Sequence, residues 1–188
     1  MPASDPILTK ERILAALDEL NAILQAKGVT GELCIFGGAA MVLAFDARES
    51  TRDVDAIFVP KAEVVDASRQ VAEHRGLPES WLNDGVKGFV SPSGELTMDG
   101  MPQWENLRIL RPGTPYLLAM KCLASRVAGY DGAGDRDDIL RLCRELGLRE
   151  SAAVLDIVAT YYPESMIPAK TRFFVEEILA SADEGGAP

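Results

Sequence analysis

Two aspartates one residue apart, Asp53 and Asp55, head the apolar run DVDAIFV, and two adjacent glycines, Gly37 and Gly38, close the shorter run ELCIF before it. If DVDAIFV is a strand, residues two apart project from one face with alpha carbons about 6.5–7 Å apart, so the carboxylates stand side by side. Like charges that close are costly unless a cation sits between them, and carboxylate oxygens with water and phosphate suit magnesium or manganese. A pair of such ions about 3.5–4 Å apart holds the attacking and leaving oxygens of a phosphoryl transfer. Glycines between a strand and a helix let the backbone approach a ligand, and N–H groups at a helix start attract phosphate. Each half has a plain alternative: aspartates that end a strand in solvent, or a turn that uses glycine for steric room. Together they describe a site able to hold a nucleoside triphosphate with its metals.

The elements that must position these residues follow from periodicity. Glu32 to Phe36 predicts a strand too short to be a helix, and Ala39 to Phe45 a helix, because Ala, Met and Leu propagate helices. Polar Asp46 to Arg52 predicts a loop. Asp53 to Val59, ended by Pro60, predicts a buried strand with Val54, Ala56 and Phe58 on one face and Asp53, Asp55, Ile57 and Val59 on the other. Ile7 to Lys27 carries a helical stripe stopped by Gly28, and Lys61 to Arg75 another stopped by Gly76. Gly76 to Gln103 reads as loops and short strands, and Asn106 to Leu110 as a strand. Helices follow at Thr114–Ala128, Asp135–Leu146, 151–161 and 168–181, with a loop at Gly129–Gly134. The expected class is α+β: a small mixed sheet flanked by helices over residues 1–112, a helical part at 113–181 packed on it, and a disordered tail at 182–188.

FGG, fourteen intervening residues, then DVDAIF resembles the signature of the nucleotidyltransferase superfamily typified by DNA polymerase β. Within it, GGAAMVLAF, RESTRDVD, the WLND at 81–84 and the later LLAMKCLASR and DRDDILRL are similar to the bacterial AbiEii-like group, over about residues 33–146. The resemblance implies a nucleotidyltransferase core in which Gly37 and Gly38 hold the triphosphate and Asp53 and Asp55 bind magnesium or manganese. It implies that Thr51 adds a hydroxyl to the phosphates, that Lys121 contacts the triphosphate, and that Asp138 matches the group's later helical carboxylate. The implied activity moves a nucleoside monophosphate from a nucleoside triphosphate to an acceptor hydroxyl on tRNA, a protein or a small molecule. The setting it implies is a toxin–antitoxin pair with a cognate antitoxin or toxin protein. Opposed to this stands a catalytically inactive nucleotide-binding or interaction module. That alternative gains from NLRIL, a strand where polymerase-like enzymes generally carry a third carboxylate. Here Glu105 lies just before it and Arg108 within it.

Several residues have plainer explanations. Lys121 interrupts LLAMKCLA, where a lysine must extend its stem outward or meet an anion. Asp135, Asp137 and Asp138 are helix-start acids of the kind the macrodipole favours, and Thr51 is as well explained as a loop threonine. Trp81, Asn83 and Asp84 are cleft-lining candidates, although a tryptophan is more often a packing anchor, and His74 reads as a cation at a helix end. Arg126 and Arg136 are candidates to face phosphates, though most surface arginines do not. Cys34, Cys122 and Cys143 lie in apolar segments with no CxxC pair, so buried thiols are expected rather than a zinc site. The formal charge of −10 weighs against nonspecific nucleic-acid binding, and even the least acidic stretch, 105–150, has 8 basic against 7 acidic side chains. With no long apolar stretch and no basic-then-apolar N-terminus, a cytoplasmic protein without a membrane partner is expected.

Overall fold

The computed structural model describes residues 7–125 and 132–184, and side chains within them except those of 132, 133, 183 and 184. Two compact units divide the chain: Met1–Gly88 with Leu96–Arg111, and Phe89–Glu95 with Pro112–Pro188. The class is α+β, with a mixed five-stranded sheet.

In the first unit a short strand β1 (Leu8–Thr9) precedes α1 (Lys10–Ala26), and β2 (Gly31–Ile35) leads into α2 (Gly37–Phe45). β3 (Ser50–Thr51), β4 (Val54–Val59), α3 (Lys61–Arg75), β5 (Leu82–Asn83), β6 (Leu96–Thr97) and β7 (Leu107–Pro112) follow. The main sheet has the order β5-β4-β2-β7-β6. β2 runs antiparallel to β4 and parallel to β7, while β4 runs parallel to β5.

The expected alternation along β4 is present. Val54, Ala56 and Phe58 are buried, whereas Asp53, Asp55 and Ile57 are half-buried and Val59 is exposed. The buried face packs on α1 and α3: at Gly31 the side chains of Leu24 from α1, Val64 from α3 and Leu107 from β7 converge within 4 Å of where a Cβ would stand. The other face carries the aspartates.

Of the boundaries that differ from the sequence reading, those around the glycine turn have local reasons. Residues 46–52, expected as a loop, contain β3, whose two residues pair with β1 (Leu8 opposite Thr51, Thr9 opposite Ser50). A two-residue bridge leaves no periodicity to read. The same pairing takes Leu8 and Thr9 out of the first helix, which starts at Lys10 with Thr9 as its cap. α2 begins at Gly37 rather than Ala39, so both glycines are its first helical residues.

In the second unit α4 (Thr114–Ala124), α5 (Gly132–Glu145), α6 (Ser151–Tyr161) and α7 (Ala169–Glu184) pack on one another. Residues 116–122 of α4 are all buried, as a helix surrounded by neighbours requires. α7 continues through Glu184 instead of ending at 181, since ASADE adds residues a helix tolerates, and 185–188 lie outside the described residues. α4, expected to reach Ala128, ends at Ala124, since Ser125 has an extended backbone, and α5 starts at Gly132 rather than Asp135, so 132–134, expected as the end of a loop, are its first turn. Residues 126–131, Arg126 among them, lie outside the described residues.

Residues 89–95, which the sequence reading places with the first part, belong to the second unit as a strap. The Ser91 N–H donates to Tyr116 Oη at 2.6 Å, Ser91 Oγ donates to Tyr161 O at 2.7 Å, and Tyr162 Oη donates to Phe89 O at 2.6 Å. Gly94 lies against the Tyr116 ring so closely that a Cβ would stand 2.0 Å from Cε1. Replacing Gly94 by alanine must therefore displace the ring or the strap. Gly94→Ala is expected to lower stability by about 1–3 kcal/mol, the usual cost of overpacking, read from urea unfolding. Unfolding curves that superimpose would show that the strap is not clamped.

Candidate functional site

The site is built where β2 ends and β4 begins. Ile35 stands opposite Ala56 and Cys34 opposite Ile57, and the ladder continues with the Phe36 N–H donating to Asp55 O at 2.8 Å. Gly37 follows at once with φ +58, a left-handed conformation that glycine adopts without penalty. A Cβ there would stand 3.3 Å from Asp55 Oδ2, so the first turn of α2 and the second aspartate are immediate neighbours. Phe36, the N-cap of α2, has no polar side-chain atom to satisfy the N–H groups of that turn.

Gly38 is held just as closely from the other side. A Cβ on it would be 2.5 Å from Thr51 Oγ1 and 3.2 Å from Arg48 Nη1. Thr51 reaches this place because β3 pairs with β1, and because the chain reverses after α2 at Asp46, whose φ of 46 an aspartate tolerates. Lys10 Nζ holds Asp46 Oδ1 at 2.5 Å. Gly37, Gly38, Thr51 and Asp55 are thus brought together. Asp53 joins them across the strand start, with its Oδ2 accepting from Asn83 Nδ2 at 3.0 Å.

Arg48 was not among the expected site residues. Its signal in RESTRDVD is only its place three residues before Thr51, which becomes meaningful once β3 is known to exist. Two more cations lie close by in the fold: Lys61 Nζ meets Asp84 Oδ2 at 2.7 Å, and Lys87 binds the same oxygen. They hold the Asp84 carboxyl at about 2, with the Lys61 hydrogen bond the largest cause. Its contribution is complete above the ordinary value of 3.8 and is lost as pH falls toward 2.

Among the described residues no cluster of three or more His, Cys, Asp and Glu gathers. A pair of carboxylates still fits magnesium or manganese, which commonly takes one or two protein carboxylates and completes its shell with water and substrate phosphate. Asp53 and Asp55 would be the protein ligands. The cysteines are buried and free; burial pushes Cys34 up to about 12 and Cys143 to about 11, and Cys122 further in the same direction. They are inert packing residues. Trp81 is fully buried and donates Nε1–H to Ser68 O at 3.0 Å, an anchor as expected, and His74 Nδ1 lies 2.8 Å from Glu19 Oε1 at the end of α3. Arg136 lies 3.9 Å from Asp137 Oδ1.

Lys121 and Asp138 form a group of their own in the second unit. Lys121 Nζ lies 2.6 Å from Asp138 Oδ2 and 3.3 Å from Asp135 Oδ1, with the lysine 8% exposed and Asp138 fully buried. The anion that this lysine meets includes two carboxylates of α5. β7, the strand read as NLRIL, stands beside β2 and not beside β4. Its Arg108 Nε donates to Glu32 Oε2 at 2.7 Å, and Arg111 Nε donates to Asp99 O at 2.8 Å.

Compared with protein-family models, with curated proteins and with solved structures, the chain has no match. Among the described residues no helix is long and apolar enough to cross a membrane.

Two stability measurements check this geometry. Gly38→Ala is expected to cost about 1–3 kcal/mol by overpacking against Thr51, and Thr51→Ala in the same chain should recover part of that loss, giving a nonadditive cycle. Asp138→Ala leaves Lys121 with a depleted partner in a buried place and is expected to cost about 3–5 kcal/mol, whereas Lys121→Met with Asp138→Leu should cost much less.

Proposed function

We propose that the chain is a metal-dependent nucleotidyltransferase of the AbiEii-like kind, moving a nucleoside monophosphate from a nucleoside triphosphate to an acceptor hydroxyl. The observation that carries the reading is the meeting of the glycine start of α2 with Asp55, a Cβ on Gly37 falling 3.3 Å from the carboxylate oxygen. Backbone N–H groups at a helix start favour phosphate, and a carboxylate pair beside them favours a divalent cation, so one small region offers both halves of a metal–triphosphate complex. Arg48, 3.2 Å from the Cβ position of Gly38, adds a guanidinium on the phosphate side.

In this reading Gly37 and Gly38 bind the phosphates through backbone N–H groups, and Thr51 adds its hydroxyl. Asp53 and Asp55 hold magnesium or manganese. Such an ion, when bound, neutralises phosphate charge and lets the leaving group depart as pyrophosphate. The acceptor oxygen forms a bond to the alpha phosphorus as the bond to the bridging oxygen breaks, and the hydroxyl proton passes to water. Catalysis is then positioning and charge neutralisation. Asp138 holds the ammonium of Lys121, the lysine that the resemblance assigns to the triphosphate. The acceptor is a hydroxyl of tRNA, a protein or a small molecule, and a toxin–antitoxin pair is the proposed setting. The acidic balance of the chain favours an acceptor that does not depend on a broad basic surface.

A second reading, an inactive nucleotide-binding module of such a pair, is favoured by one observation. β5, which flanks β4 on the side away from β2, presents an amide, Asn83, in register with Asp55, where a third carboxylate would flank the pair.

Incubation of the protein with each radiolabelled triphosphate, magnesium and cell extract separates the two. Label is expected to pass to one macromolecular or small-molecule acceptor, and to fall at least about 100-fold in Asp53→Asn and Asp55→Asn, the scale for loss of a transition-state charge stabiliser. Magnesium-dependent thermal stabilisation by a triphosphate, with no labelled product from any extract, would support the inactive module.

A further inference from the structure

Asn83 is fixed at both ends of its amide. Its Oδ1 accepts the Gly85 N–H at 2.9 Å, and since only the oxygen can accept from a backbone N–H, the NH2 group must face the other way. There Nδ2 donates to Asp53 Oδ2 at 3.0 Å. The backbone is fixed as well: Asn83 pairs with Asp55 and Leu82 with Val54 in the parallel ladder, and Trp81, just before β5, is fully buried and bonded to Ser68 O. Asp53 lies one residue before β4 begins, outside the strand ladder that holds Asp55.

We propose that Asn83 is a positioning residue for Asp53: it occupies one carboxylate oxygen and so presents the other, beside Asp55, to a divalent cation. This rests on the reading of Asp53 and Asp55 as metal ligands. A ligating carboxylate that accepts a hydrogen bond from a fixed neighbour is oriented before the ion arrives. An amide does this without adding a third negative charge beside the two aspartates, which a carboxylate at the same place would do.

The test uses the full chain and manganese alone, followed by paramagnetic broadening of backbone amide signals around residues 53–55. Half-broadening of those signals is expected to need about 10-fold more manganese in Asn83→Ala and Asn83→Ser, the scale for loss of an outer-shell partner, with melting temperatures in the absence of ion little changed. A second measurement needs no metal: the side-chain amide signals of Asn83, identified by their loss in Asn83→Ala, are expected to exchange slowly with solvent and to shift in Asp53→Ala. Equal manganese response in the parent and the Asn83 variants overturns the positioning role and leaves the metal reading standing. A parent chain in which manganese broadens no signal near Asp53 overturns the metal reading and the proposal together. If the Asn83 variants do not fold, amide signals of the parent that ignore Asp53→Ala overturn the proposal by themselves.

Discussion

Antiparallel pairing of β2 with β4 places the end of one strand beside the beginning of the other, and the bond from the Phe36 N–H to Asp55 O is where that pairing meets the start of α2. Side chains along a strand alternate between faces, so a slip of one residue in this register would carry Asp53 and Asp55 into the core and Val54 and Ala56 out of it. The buried set formed by Leu33, Ile35, Val54, Ala56 and Leu107 opposes such a slip. Hydrophobic burial on one face therefore decides the position of the charges on the other. The glycines of α2 gain chemical meaning only because this register brings the carboxylate to them.

Local electrostatics run against the average of the chain. The sequence carries a formal charge of −10, yet Arg48 lies at the glycine turn and Lys61 and Lys87 share Asp84, the residue after Asn83. Exposed pairs of this kind contribute little to stability in water. Their effect is on potential: one carboxylate between two ammonium groups leaves a net positive spot next to an aspartate pair. An anion that approaches with its own cation meets both signs within one short stretch of surface, which suits a metal-bound triphosphate better than a free one.

The sequence made the long elements and the face of β4 readable, because α1, α3 and β4 repeat apolar residues at periods of 3.6 or 2 over many positions. Asp53, Asp55, Gly37 and Gly38 were legible for the same reason: their neighbours defined a strand end and a strand start. The two-residue strands were not placed: short strands are expected somewhere within Gly76–Gln103, without bounds or partners, and none at Ser50-Thr51. Nothing in Ser50-Thr51 or Leu82-Asn83 distinguishes a bridge from a loop, since two residues carry no period and their pairing partners lie far off in the chain. Arg48 and the role of Asn83 went with them. Lys121 was legible as a misfit in an apolar run, but its partners were not, because Asp135 and Asp138 also satisfy the simpler account of acids at a helix start.

The question of a third carboxylate shows how topology changes what a sequence motif means. NLRIL, the later strand that invites the search, forms β7, and β2 separates it from the aspartates. The strand on the side of β4 away from β2 is β5, reached through α3, and the residue it sets against Asp55 is Asn83. A carboxylate there would stand with two others and would need a cation to offset three charges. The amide instead donates to one of them, so the pair can be ordered while no ion is bound. With fewer protein charges in the site, more of the neutralisation and more of the coordination shell must come from whatever binds beside it. In the proposed reading, two carboxylates and an amide would hold a cation that arrives with its own oxygens, and the glycine start of α2 would receive phosphate oxygens.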